Sequence, residues 1–357
     1  MELNQLLALL VKTNGSDLHL CGGEPPAMRV DRRIRRTRLP DLSEADAVAM
    51  LRRAAGEARW AQFVEDRELD MAYVASEIGR FRVNMYWDRG RAVACFHRIP
   101  SHIQTIDELG LPPVLQSIAM LPRGLVLVTG PTGCGKSTTL AALVDEINRH
   151  RPVHIVTIED PIEFIHDSKM ASITQREIGL DSHSFSEALR HVMRQNPDVI
   201  LVGEMRDLET IQLAITAGET GHLVFSTLHT LDAAQTIDRI VDVFEPYRQD
   251  QVRAQLADTL QAVVSQELLH RKDARGLLPA FEVMVATPGI RNLMRERKTH
   301  QIYTLIEAGG ALGMQSFDHH LLTLCQQGAV DYEQALAKAR NPTEFQHRAQ
   351  AALRESK

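Results

Sequence analysis

The chain has 357 residues, 44% of them hydrophobic and 24% charged, with a formal net charge of −6. That composition belongs to a globular protein long enough for two domains, and it excludes a disordered or fibrous chain. The acidic balance is a poor footprint for binding nucleic acid, no apolar run reaches membrane-spanning length, and four scattered cysteines without a C-x-x-C pair argue against a zinc site or a disulfide framework. The first twelve residues lack the pattern of a signal peptide, so the expected compartment is the cytosol.

Residues 3–11 predict a short apolar helix and 17–20 a strand. In 25–38, Met28, Val30 and Ile34 alternate with charge, which predicts a hairpin turning near Asp31. Arg29, Arg32, Arg33, Arg35, Arg36 and Arg38 crowd this hairpin; a solvated face is the expected reading, an acidic partner or membrane surface the other. Ser43 with Asp46 resembles a capping box opening a helix through Arg53. Strands are predicted at 69–74, 80–87 and 91–99. In the second, Phe81, Val83, Met85 and Trp87 share one face and Arg82, Asn84 and Asp88 the other. Residues 1–99 thus read as a small α/β domain with an antiparallel sheet, and 100–113, with Pro100, Pro112 and Pro113, as a linker.

The rhythm changes in 114–357. Near-continuous apolar runs at 125–128, 153–158, 199–202 and 223–227 predict buried parallel strands, with helices at 138–149, 185–193, 208–216 and 233–244. This is the pattern of a doubly wound α/β nucleotide-binding core. Residues 247–270 and the tail after Phe317 read as mostly helical.

Gly130-Pro131-Thr132-Gly133-Cys134-Gly135-Lys136-Ser137 fits G-x-x-x-x-G-K-[ST] at every fixed position, between a predicted strand and a predicted helix. Such a loop wraps backbone N–H groups around phosphate, with Thr138 continuing the cradle. Lys136 is expected to reach the β- and γ-phosphates of ATP, and the Ser137 hydroxyl Mg²⁺. Cys134 is expected to serve as a small neutral residue at a variable position of the loop. Glu159, Asp160 and Glu163 follow the next strand; Glu163 is the candidate for holding Mg²⁺, directly or through water, or for orienting the attacking water. The run 198–204 is a Walker-B-like strand with Gly203 where an Asp is usual, which makes Glu204 the candidate for polarising water. His222 and His229 flank the strand 223–227, and sensing of the γ-phosphate competes there with a structural role. Arg80, Arg82 and Arg98 lie far from the loop in sequence; they become arginine fingers only if one protomer's small domain covers its neighbour's nucleotide.

The ordered set of phosphate loop, acidic box 157–163, Asp-less Walker B ending in Gly203-Glu204 and histidine box 221–230 resembles the secretion-type hexameric ATPases, over nearly the whole chain. Within them it is most similar to the type IV pilus retraction ATPases. The N-terminal region is short, the C-x-x-C pairs of extension and type II secretion ATPases are absent, and 289–296, Gly-Ile-Arg-Asn-Leu-Met-Arg-Glu, departs from the retraction motif AIRNLIRE only at Gly289 and Met294. The resemblance implies a RecA-like core with a PAS-like N-terminal domain, and a homohexamer that hydrolyses ATP with Mg²⁺. It implies a cytoplasmic location, peripheral to the inner membrane at the pilus base. The implied partner is an integral platform protein, with a paralogous retraction ATPase as a second and no nucleic acid. One departure concerns the fingers: the family's Arg-x-Ile-Pro stands here as His97-Arg98-Ile99-Pro100, and neighbouring strand residues face opposite sides, so Arg82 is the safer candidate and Arg98 the weaker.

The expected function is a motor that powers pilus retraction and twitching motility. The alternatives are a pilus-extension or type II secretion ATPase, a non-hydrolysing nucleotide-binding accessory subunit, and a small-molecule kinase on the same loop.

Overall fold

The computed structural model describes residues 2–30, 33–99, 102–272 and 276–355. The chain divides into two compact units, Met1–His102 with Pro161–Ile165, and Ile103–Asp160 with His166–Lys357.

The first unit runs α1 (Leu3–Lys12), β1 (Asp17–Cys21), β2 (Ala27–Val30), β3 (Arg33–Arg36), α2 (Glu44–Ala55), α3 (Glu57–Asp66), β4 (Glu68–Ala75), β5 (Gly79–Asp88) and β6 (Arg91–Ile99). Its six strands form one antiparallel sheet in the order β3-β2-β1-β6-β5-β4. The strand period of two sorts the side chains: Phe81, Val83 and Met85 of β5 are buried and Arg82 between them is exposed. That apolar face packs with Leu6, Leu7 and Leu10 of α1 and Phe63 of α3 into one core. Ser43 caps α2 by accepting a hydrogen bond from the Asp46 N–H at 3.1 Å. The arginine-rich hairpin pairs Val30 with Arg33, while its predicted turn residue Asp31, and Arg32, lie outside the described residues.

The second unit runs α4 (Val114–Ala119), β7 (Gly124–Thr129), α5 (Lys136–His150), β8 (His154–Glu159), β9 (Ser172–Glu177), α6 (Phe185–Val192), β10 (Val199–Val202), α7 (Leu208–Glu219), β11 (Leu223–Leu228), α8 (Ala233–Asp242) and α9 (Pro246–Thr259). It continues with β12 (Leu260–His270), β13 (Leu277–Val285), α10 (Pro288–Arg295), α11 (Ile302–Ala308), α12 (Phe317–Gln326), α13 (Tyr332–Lys338) and α14 (Pro342–Glu355). Its seven-stranded sheet has the order β13-β12-β7-β11-β10-β8-β9 and is parallel throughout except for β12 with β13. Strands β7, β10 and β11 are buried at every residue, as a sheet covered on both faces requires. Helices α4 and α5 cover one face, and α6 to α11 the other. The last three helices pack Phe317, Leu321 and Phe345 against Leu269 and Ala280 as a separate cluster. The α/β class with a parallel, RecA-like core is therefore present.

Residues 247–270 are not one helical stretch: α9 stops at Thr259 and β12 follows at once, inserted between β13 and β7. The Leu, Gln, Ala and Glu of this run favour a helix intrinsically, but burial of Leu260, Ala262, Val263 and Val264 inside the sheet outweighs that preference.

Candidate active site

Strand β7 carries the chain to the carboxyl edge of the parallel sheet and stops at Thr129; the phosphate loop fills 130–135 and α5 begins at Lys136. Only glycine fits the first position. Gly130 has φ +140°, and a Cβ there would lie 2.2 Å from the Gln266 carbonyl oxygen and 2.8 Å from Cys134 Sγ. Gly135 is the N-cap of α5 at φ +92°, which turns the chain directly into the helix. The first turn of α5 holds no acidic side chain, whereas α6 and α7 place Glu187 and Glu209 there, so this helix end keeps its positive dipole free for an anion. Thr132 and Gly133 form the exposed tip, and Pro131, Lys136, Ser137 and Thr138 are half-buried. Lys136 Nζ donates to the carbonyls of Gly130 (2.8 Å) and Pro131 (3.2 Å), so its ammonium already sits across the mouth of the loop. Burial pushes the Cys134 thiol above its ordinary pKa against the pull of Lys136, which keeps it neutral. Among the described residues no group of three or more His, Cys, Asp or Glu side chains could hold a metal alone. A Mg²⁺ ion here would need phosphate oxygens with Ser137, the usual arrangement at phosphate loops.

Glu204 is delivered by β10, two strands from β7 with β11 between. Hydroxyls beyond the regular ladder fix its approach: Ser226 Oγ donates to the Val202 carbonyl and Thr227 Oγ1 to the Gly203 carbonyl, both at 2.7 Å. The carboxylate is 19% exposed and both oxygens are engaged, Oε2 by Arg206 at 2.7 Å and Oε1 by His229 Nε2 at 2.9 Å. Burial raises the Glu204 pKa, but Arg206 and His229 together outweigh it and hold the group below its usual value. A cavity of about 470 Å³ opens beside this triad, with Arg239, Gln235 and Ile211 also on its wall. The loop carrying His229 is tied to α8: Thr230 Oγ1 meets Thr236 Oγ1 at 2.6 Å, and Asp232 caps the helix.

The other candidates fall elsewhere. His222 precedes β11, and its carbonyl accepts from Gly124 N–H at the start of β7; it therefore lies at the amino edge of the sheet, the edge opposite the phosphate loop. The two histidines thus do not meet within one chain, because a six-residue strand separates them by roughly 20 Å at ~3.3 Å per residue. His222 Nδ1 is engaged instead with the Ala217 carbonyl at 2.9 Å. Glu159 receives hydrogen bonds from Thr157 (2.7 Å) and Gln175 (3.1 Å). Glu163 belongs to the short segment that groups with the first unit. In that unit Arg82 stands opposite His97 in the β5–β6 register, while Arg98 stands opposite Phe81. Arg82 and Arg98 therefore occupy different faces of the sheet; Arg98 reaches Asn14 Oδ1 at 3.3 Å, and His97 pairs with Asp17 at 2.8 Å. Two further residues join the site: Arg206, a cation two places after the strand-end Glu, and Gln266, in a polar triplet within the apolar strand β12.

A model of the family "Type II/IV secretion system protein" matches residues 12–317. The type IV pilus retraction ATPase PilT of Pseudomonas aeruginosa is 49% identical over 345 residues, 97% of this chain and 100% of that protein. A twitching motility protein of Neisseria gonorrhoeae is 46% identical over 316 residues, 88% of this chain and 84% of that one. A crystal structure of the pilus retraction motor PilT with bound ADP superposes with a TM-score of 0.92 at 39% identity, covering 97% of this chain and 99% of that chain.

Proposed function

The chain belongs to the Type II/IV secretion system protein family, and on that premise we propose that it is the ATP-hydrolysing motor of type IV pilus retraction, driving pilus disassembly and twitching motility. The observation that carries this reading is the gathering of the phosphate loop and the Glu204–His229 pair at one sheet edge, in a chain matched end to end by retraction ATPases.

The loop backbone and the open N-terminus of α5 bind the phosphates, and Lys136 exchanges its carbonyl partners for β- and γ-phosphate oxygens. Ser137, together with the phosphates, would hold Mg²⁺, and the ion would supply neutralisation of charge on the departing oxygen. Glu204 orients and polarises the attacking water once it leaves Arg206 or His229. His229, just past the end of the adjacent strand β11, reports the γ-phosphate to Glu204. Glu163 supports the water or the metal, and Arg82 acts as a finger on the nucleotide of a neighbouring protomer, with Arg98 as the weaker candidate. The working form is a homohexamer with domains 1–99 and 114–357 rotating about 100–113, and the stroke is passed to a platform protein of the inner membrane. Among the described residues no helix is long and apolar enough to cross a membrane. The location proposed with the retraction-motor reading is cytoplasmic, peripheral to the inner membrane.

Native mass and ATP turnover, measured for wild type and Glu204→Ala, test this. The expected result is a hexamer with Mg²⁺-dependent hydrolysis that drops at least about a hundredfold in the variant while ADP binding persists. A wild-type hexamer that binds ATP without turning it over would point to an accessory subunit instead.

A further inference from the structure

The register of the central sheet leaves one polar side chain directly beneath the phosphate loop. Strand β12 pairs in parallel with β7, and the last matched pair is Ser265 with Thr129, joined by a hydroxyl–hydroxyl hydrogen bond of 2.9 Å. Strand β7 ends there and β12 runs on to His270, so Gln266 is the first residue of β12 to project past its partner.

Gln266 is 2% exposed. Its main-chain carbonyl is the surface that would clash with any Cβ on Gly130. Its amide spans the loop from below: Nε2 donates to the Cys134 carbonyl at 2.7 Å, and Oε1 accepts from Thr139 Oγ1 at 2.8 Å. Cys134 lies within the loop and Thr139 one turn into α5, so a single planar group fixes the loop to the helix it opens. Both bonds are buried, so removing the amide leaves the Cys134 carbonyl and the Thr139 hydroxyl without this partner and out of reach of water.

We propose that Gln266 is a positioning residue for nucleotide binding, holding the loop's N–H groups converged on the phosphates. It touches no substrate and acts through Cys134 and Thr139. The proposal rests on the reading that this loop binds the nucleotide, and Lys136→Ala tests that reading separately.

The experiment measures affinity for a fluorescent ADP analogue, KM and kcat for ATP, and the nucleotide-free thermal midpoint, all on the full chain. Four proteins are compared: wild type, Gln266→Met, Thr139→Val and Lys136→Ala. Gln266→Met keeps volume and removes both hydrogen bonds; Thr139→Val removes one. The expected result is an ADP affinity about tenfold weaker in Gln266→Met and about threefold weaker in Thr139→Val. KM should rise in parallel, with both variants folded at the assay temperature. If Gln266→Met does not fold, Thr139→Val carries the test alone. Folded variants with wild-type ADP affinity and KM would overturn the proposal, even with a lowered thermal midpoint. Undiminished ADP affinity in Lys136→Ala would overturn the underlying reading of the loop instead.

Discussion

Glu204 stands between Arg206 and His229, and the unequal character of the two partners offers a way to separate them. Arg206 is charged at every accessible pH, so its pull on the carboxylate is constant. His229 adds a separate pull through its Nε2, 2.9 Å from Oε1. With Arg206 removed, burial still raises the Glu204 pKa and less opposes it, so the carboxyl must titrate at higher pH than in wild type. A group that works as a carboxylate loses activity as pH falls through its pKa. The acid limb of kcat/KM against pH should therefore move upward in Arg206→Ala, and an unmoved limb would assign the depression to His229 alone. This pairing also shows what local sequence could reveal. Arg206 follows Glu204 by two positions and could have been read as its partner. His229 reaches the same carboxylate only because β10 and β11 are parallel neighbours, a fact of the sheet.

The helix α10 carries the segment that resembles the retraction motif, and its contacts are internal. Ile290 and Met294 are fully buried in the core of the second unit. Arg291 turns the other way and donates to the carbonyls of Ala257 and Asp258 (3.0 Å to the latter) and to Gln261 Oε1 at 3.1 Å. It thereby closes the C-terminal end of α9 and holds the first residues of β12. Arg291→Ala should lower stability by about 1–3 kcal/mol, a few degrees in thermal midpoint, because carbonyls at a helix end lose their donor. Arg291→Lys should recover only part, since an ammonium lacks the fork that reaches several acceptors at once. An unchanged midpoint in Arg291→Ala would free the segment for a direct role at the surface. In this unit β7, β10 and β11, buried at every residue, were legible as strands. An element was not legible where pairing decides the outcome: 260–270 has helical composition, and only the neighbours β7 and β13 make it a strand. The same holds for Gln266, whose partners Cys134 and Thr139 lie 132 and 127 positions away.

At the scale of the assembled motor, the division of labour between Arg82 and Glu204 can be tested by mixing. If Arg82 serves a neighbour's nucleotide, Arg82→Ala subunits and Glu204→Ala subunits are each inactive alone. Mixed rings then contain interfaces with one intact Arg82 facing one intact Glu204. ATP turnover of the mixture should exceed that of either variant by a large factor; no recovery would place Arg82 outside the neighbour's chemistry. The proposed ring, which would bring many copies into close company, gives the arginines of the first unit another meaning. Strand β3 is the outer edge of its sheet, and Arg33, Ile34, Arg35 and Arg36 are all exposed. An open edge offers N–H and C=O groups to any extended chain, the step by which sheets fuse and proteins precipitate. Alternation puts Arg33 and Arg35 on one face and Arg36 on the other, so a second copy approaching this edge would bring its own guanidinium groups against them. Arg36 is paired with Glu24 at 3.0 Å, and the positive charge that Arg33 and Arg35 set along this edge would oppose a second copy zipping onto the unfinished sheet.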